Sequence, residues 1–429
     1  MSHLRIARLS LMLAAIGFNL APAMLGMSSA HAATAEKADA KADNVRQEMF
    51  KLLDPAAIKP LMDAKNYQEV QTRLDQAGAL PALTPYETFV LNRLRIALAA
   101  ATHNSAMALA ALQAVIASNR LSATELPDFT LALANEFFNA KDYTNAVTWF
   151  LRYQKDGGDS AKVRPYLIRA YFYSNDFAMV KQAVQSDLQT SETAGKKPLL
   201  DQLQMLAISS NKTKDNVMYS STLEKLVQFY PSDDYWSELL NRLQSKAGYS
   251  EHLNLDVYRL ERVAISVMPA DDVVDMGELA LLAGFPVEAK NAADTAFKAG
   301  LFGKGPNAAR QNTLREKADK GAADDQKNIA SGEASAAKSK DGTGMLNLGY
   351  AYVTMQQFDK GIDLIQKGIS KGGLKNPEDA KLRLGVAFTL AGRKAEALTT
   401  MAAVKGDDGL GDLARYWTFY INRPALAAK

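Results

Sequence analysis

The sequence predicts an all-α chain of helical hairpins stacked one on the next, and three observations predict it. Amphipathic helical patterns alternate with short polar or glycine-containing breaks along nearly the whole chain. Counted at the residue after each break, the spacing stays between 34 and 39 residues. Composition agrees: 48% of the 429 residues are hydrophobic and 23% charged, enough apolar surface for a core and unlike a disordered or collagen-like chain.

The breaks are Lys65-Asn66, His103-Asn104, Lys141-Asp142, Asn175-Asp176, Lys214-Asp215, Gly248-Tyr249, Gly284-Phe285, Lys320-Gly321, Gln356-Gln357 and Gly392-Arg393. The helices between them share a residue frame. Met345-x2-Leu348-Gly349-x2-Tyr352 is followed by Gly361-x3-Ile365, and Lys381-x2-Leu384-Gly385-x2-Phe388 by Ala397-x3-Met401. Thr130-x2-Leu133-Ala134-x2-Phe137 is followed by Ala146-x3-Phe150, and Met276-Gly277-x2-Ala280 carries a smaller-residue version with Ala289 and Ala293. Small residues at Ala134, Gly277, Gly349 and Gly385, and at Ala146 and Ala397 on the second helices, let paired helices approach closely. Large residues at Phe137, Tyr171, Tyr352 and Phe388 fill the space between hairpins. One hairpin cannot bury its apolar stripe alone, so stability comes from neighbours.

This frame resembles the tetratricopeptide repeat (TPR), Trp-x2-Leu-Gly-x2-Tyr followed by Ala-x3-Phe. The resemblance runs from about residue 45 to 421 in ten hairpins of varying quality. It implies a right-handed α-solenoid whose first helices line a concave groove, and an adaptor that binds proteins or peptides without being an enzyme. The poorest stretch, 311–344, lacks aromatic residues and is rich in Asp, Lys, Ser and Gly. It reads as an exposed polar hairpin or a flexible insertion, and its fit to the spacing favours the hairpin. A final helix over about Asp412 to Ile421 is expected to cap the array.

The chain opens with a basic start, Arg5 and Arg8, an apolar run from Leu9 to Leu25, and the small-x-small pattern Ala30-His31-Ala32. That is the form of a cleavable secretory signal. The apolar run, broken by Asn19 and Pro22, falls short of the ~20 residues of a membrane span. Export to the periplasm is therefore expected, with cleavage after Ala32 and no stable membrane span afterwards. The domain boundaries that follow are 1–32 signal peptide, 33–43 flexible spacer, 44–299 solenoid, 300–344 degenerate polar hairpin or flexible insertion, and 345–429 a C-terminal pair of hairpins with its capping helix.

Chemistry is sparse. The 50 basic and 47 acidic residues give a net charge of +3, too small for a nucleic-acid footprint. Without cysteine there is no disulfide, thiolate-bound metal or thiol nucleophile. Cleavage would leave only His103 and His252, too few for a triad or a multi-histidine metal site. Gly303-Lys304 is followed by Gly305-Pro306, where a phosphate-binding loop needs Ser or Thr, so a turn is expected. The acid pairs Asp233-Asp234, Asp271-Asp272 and Asp324-Asp325 read as helix-start or turn residues. No catalytic, metal or cofactor-binding residue is predicted, and no cofactor is expected.

The groove implied by the resemblance holds Asn135, Phe138 and Asn139, then Arg169, Phe172 and Tyr173, followed by Lys212 and Tyr350. Rings supply contact area, while amide and guanidinium groups bond to peptide backbone or carboxylate. The family's carboxylate clamp is not expected, since Leu131 stands where its Lys belongs and Tyr166 where its second Asn belongs. The expected role is a non-enzymatic scaffold for envelope proteins. A glycan-binding or peptidoglycan-acting solenoid, and a membrane-tethered assembly factor, are the alternatives.

Overall fold

The computed structural model describes residues 43–423. The expected signal segment with Ala30 and Ala32, and the spacer up to residue 42, lie outside the described residues. Among those described, every regular element is helical. The chain divides into two compact units, the first ending at Ala183 and the second beginning at Val184.

The first unit comprises α1 (Gln47–Leu53), α2 (Pro55–Asp63), α3 (Tyr67–Gly78), α4 (Pro85–Thr102), α5 (Ser105–Ala117), α6 (Leu126–Asn139), α7 (Tyr143–Lys155) and α8 (Ser160–Tyr173). Helix α9 (Phe177–Thr193) runs across the division. The second unit continues with α10 (Leu200–Lys212), α11 (Asn216–Phe229), α12 (Asp233–Gln244), α13 (Asn254–Ala264), α14 (Ala270–Leu282), α15 (Pro286–Lys298) and α16 (Ala308–Lys338). It ends with α17 (Thr343–Thr354), α18 (Phe358–Lys371), α19 (Pro377–Leu390), α20 (Lys394–Ala402) and α21 (Leu410–Asn422). Within each unit a helix packs on its hairpin partner and on the next hairpin, as α6 does with α7 and α5, and α18 with α17 and α19. This is the architecture of an α-solenoid, built from successive hairpins.

The hairpins reverse by one repeated device. At nine of the ten breaks the first residue has positive φ: Lys65, His103, Lys141, Asn175, Lys214, Gly248, Gly284, Gln356 and Gly392. A residue in that region turns the chain off the helix axis and lets the next amide reach back to an otherwise unpaired carbonyl. So Asp142 N donates to Phe137 O at 2.9 Å, Asp176 N to Tyr171 O at 2.8 Å, Gln357 N to Tyr352 O at 2.9 Å and Arg393 N to Phe388 O at 2.9 Å. The accepting residues are the large ones expected between hairpins, and all four side chains are buried. In the early repeats the following Asn or Asp also starts the next helix. The side-chain oxygens of Asn104, Asp142, Asp176 and Asp215 accept from the amides of Met107, Asn145, Met179 and Met218.

The small positions permit contact to different degrees. A Cβ on Gly349 would lie 2.7 Å from Gly361 O and 2.8 Å from Ile365 N, so α17 and α18 meet backbone to backbone. A Cβ on Gly385 would meet the flexible Met401 side chain at 2.8 Å, and one on Gly277 would meet Leu314 of α16 at 2.7 Å.

The stretch expected as a polar hairpin or flexible insertion is a single 31-residue helix, α16, with no reversal at Lys320-Gly321. Gly321 serves close approach instead, since a Cβ there would lie 2.7 Å from Pro286 Cβ. Ala322, not Asn or Asp, directly follows it, so no cap starts a second helix there, and its interior cost of ~1 kcal/mol is small beside the Ala-rich surroundings. Asp324-Asp325 therefore sit inside a helix, whereas Asp233-Asp234 and Asp271-Asp272 occupy first turns as expected. Gly300, Gly303 and Gly305 all adopt positive φ in the turn before α16.

Helix α21 packs on α19 and α20 as an end cap, and it also contacts α11 and α13. Arg415 Nη2 donates to Glu224 Oε1 at 2.7 Å and Lys246 Nζ to Asp412 Oδ2 at 2.6 Å. Ser250 N donates to Asp408 O at 2.9 Å, and Arg423 Nη1 to Val263 O at 3.2 Å. The second unit thus returns upon itself.

Two substitutions test these devices. Lys141 is exposed at φ +61°, so Lys141→Gly relieves left-handed strain and is expected to stabilise the chain by about 0.5–1 kcal/mol in urea unfolding. A lowered midpoint would refute the strain. Gly349→Ala presses on backbone that cannot yield and is expected to cost about 2–3 kcal/mol. Gly385→Ala, pressing on a mobile thioether, is expected to be near neutral, and equal losses at the two glycines would contradict this packing.

Candidate functional site

Two places in the molecule combine exposed or cavity-facing side chains with organised chemistry. The first lies on α6 to α9. Phe138 is half-buried and its ring stands edge-on to Tyr143 at 5.4 Å, Phe150 at 6.2 Å and Tyr166 at 6.1 Å. Tyr143 lies 4.9 Å from Tyr173, and Phe172 lies 5.6 Å from Tyr173 and 6.2 Å from Phe177. The aromatic cluster forms because Tyr143 and Phe150 on α7, and Tyr166 and Tyr173 on α8, stand seven residues apart, about two helical turns, and so share one face of their helix. Tyr173 is 51% exposed. Asn135 and Arg169 are half-buried and Asn139 is exposed.

Six of the eight predicted groove residues, Asn135, Phe138, Asn139, Arg169, Phe172 and Tyr173, therefore belong to helices of the first unit that share one aromatic cluster. Phe138 and Phe172 are in large part packing residues, while Tyr173 and Asn139 offer surface. The other two belong to the second unit. Lys212 is exposed at the end of α10. Tyr350 is only 1% exposed, so it is a core residue and not an open groove position. Its neighbours Phe285 and Arg259 enclose it.

The second place is a cavity of about 190 Å³ within the second unit, lined by residues of α13, α14, α15, α17, α18, α19 and α21. Tyr350, Arg259, Arg262, Asn291, Leu390 and Trp417 are among them. Arg259 is buried. Its Nε and Nη2 donate to the two Glu288 oxygens at 2.9 and 2.7 Å, and its Nη1 donates to Asp256 Oδ1 at 2.6 Å. The guanidinium carbon lies 4.3 Å from the Tyr350 ring centroid and 5.2 Å from that of Phe285. Burial opposes the charge, but Glu288 and then Asp256 overcome it, and the guanidinium stays protonated well above its ordinary range. Such a group organises a core more than it stabilises one, since desolvating three charges offsets much of their attraction.

The sequence carried a weak sign of this network: charges at Asp256 and Arg259 fall on the apolar stripe of α13. What it did not carry was Glu288, which comes from α15, or the approach of Trp417 from the chain's far end. His103 caps α4 in the left-handed region and is exposed. His252 has Ser250 Oγ 2.6 Å from Nδ1 and Asp379 Oδ2 3.2 Å from Nε2. Among the described residues, no group of three or more His, Cys, Asp or Glu side chains is placed to hold a metal.

No protein-family model matches the chain, and no curated protein sequence matches it. Solved structures do. The TPR2AB domain of yeast Sti1 in its pHSP90 complex is 14% identical with a TM-score of 0.23, over 70% of this chain and 99% of that one. The Naa15/Naa10 structure bound to HypK-THB gives 13% identity and a TM-score of 0.29, over 86% of this chain and 65% of the other. Superpositions this loose add nothing to what the stacked hairpins themselves establish. The class of protein is defined by the fold: an α-solenoid of helical hairpins.

Beside Arg262, the Glu261 side chain is buried and makes no hydrogen bond or ion pair within the described residues. Burial, aided by Asp272, pushes its carboxyl up to about 7 from an ordinary 4.5. The folded state therefore binds this proton more tightly than the unfolded state. The stability it contributes is complete below pH 4.5 and is lost as pH rises through 7. Glu261→Gln should remove that loss, gaining about 2 kcal/mol over the parent in urea unfolding at pH 8 and little at pH 4. Parallel pH profiles for parent and variant would show that Glu261 is not the titrating group.

Proposed function

We propose that the protein is a non-enzymatic interaction scaffold of the bacterial cell envelope, exported with its signal removed. On this reading the α6–α9 face of the first unit takes an extended segment of a protein or peptide partner. The observation that carries it is the half-exposed ring cluster around Tyr173, flanked by Asn135, Asn139 and Arg169 on stacked helices. Rings of this kind offer large contact area at low entropic cost, and the amide and guanidinium groups satisfy partner backbone. The repeat frame and the Ala30-x-Ala32 pattern support the adaptor role and the export respectively.

The test is a crosslinking pull-down from periplasmic extract, comparing the parent with an Asn139→Ala, Tyr173→Ser double variant. Both side chains are exposed, so the fold is expected to survive. Recovery of the principal partner should fall at least tenfold. Unchanged recovery would defeat the assignment of this face. Mass measurement of the purified chain should give an N-terminus at Ala33, and an intact Met1 would defeat the export reading.

A further inference from the structure

We propose that the cavity of the second unit is a binding site for a small carboxylic acid with an apolar body, its carboxylate held by Arg262. This site is independent of the face on α6–α9. Size sets the first limit. An apolar cavity of about 150 Å³ accepts benzene, so one of about 190 Å³ accepts a single ring with a short arm, or an aliphatic chain of similar bulk. Val353, Val386, Leu390 and Trp417 supply the apolar wall. Leu390 is 42% exposed, and its place in the wall gives the cavity a mouth.

Charge sets the second limit. Glu288 is the one carboxylate among the lining residues, and both its oxygens are bound by Arg259. Arg262, by contrast, lines the cavity, is exposed, and makes no hydrogen bond or ion pair among the described residues. Behind the wall, Arg383 lies 5.9 Å from the Phe285 ring and has a buried Nε without a partner. Its Nη1 donates only to the neutral Asn347 Oδ1, at 3.3 Å. Arg259 is matched by Glu288 and Asp256, so the guanidinium groups left without a carboxylate are Arg262, on the cavity wall, and Arg383, behind it. An anion completes this arrangement where a cation or a neutral group does not.

Trp417 is 1% exposed, and its side chain helps to close the cavity off from solvent.

Calorimetric titration of the full chain with phenylacetate, hexanoate and the neutral phenylacetamide tests the proposal. Saturable binding of at least one acid is expected, with phenylacetamide at least tenfold weaker than phenylacetate. Arg262→Gln, a change at an exposed and unbonded side chain, should weaken the acid at least tenfold and leave the amide unaltered. Absence of binding by both acids, equal binding of acid and amide, or indifference to Arg262→Gln would each overturn it. The tripeptide Gly-Gly-Phe separates the two sources of such a group. Binding of the tripeptide alongside phenylacetate assigns the cavity to the end of a peptide chain, and binding of phenylacetate alone assigns it to a free acid.

Discussion

Everything in this molecule rests on how the chain reverses between paired helices. A residue forced into the left-handed region ends one helix, and the next amide bonds back across the turn to a carbonyl in the last turns of that helix, in several repeats that of a large packing residue. Tyr171 with Asn175, Tyr352 with Gln356, and Phe388 with Gly392 each keep that relation. The turn and the packing residue are thereby locked in one register. In these repeats the ring that fills the space between hairpins is presented at the same height above the reversal, so hairpins of diverged sequence still stack.

Once the hairpins are in register, the closeness of each pair is decided by what faces its small positions. Where Gly349 meets Gly361 the contact is backbone on backbone and admits no other residue on either side. Where Gly385 meets Met401 the same spacing is filled by a side chain that can move. The repeat therefore has rigid and yielding joints built from the same consensus letter, and a residue pattern alone does not distinguish them.

The second unit adds a constraint of another kind. Its last helix returns to α11 and α13, and the bonds that hold it, Arg415 to Glu224 and Lys246 to Asp412, join residues 191 and 166 positions apart. That return encloses space, and the enclosed space is where the buried Arg259 network, Tyr350 and Trp417 converge. The face around Tyr173 is of the opposite character: local in sequence, stepwise along consecutive helices, and partly open to solvent.

How much was legible follows from the range of the interactions. The breaks, the small and large positions, and six clustered residues of the candidate face are local consequences of helical spacing, and they can be read from the chain letter by letter. Lys320-Gly321 misled because a glycine serves either a turn or a close approach, and only the presence of Pro286 across from Gly321 decides which. Tyr350 misled because its helix position is right for a groove while Phe285 and Arg259 cover it. The sequence by itself determined the helices, their reversals and their stacking, since these depend on neighbours at most one repeat away. Tertiary structure alone decided the division into two units, the return of α21 and the cavity it helps to wall, because contacts across some 160 to 190 residues leave no periodic trace in the chain.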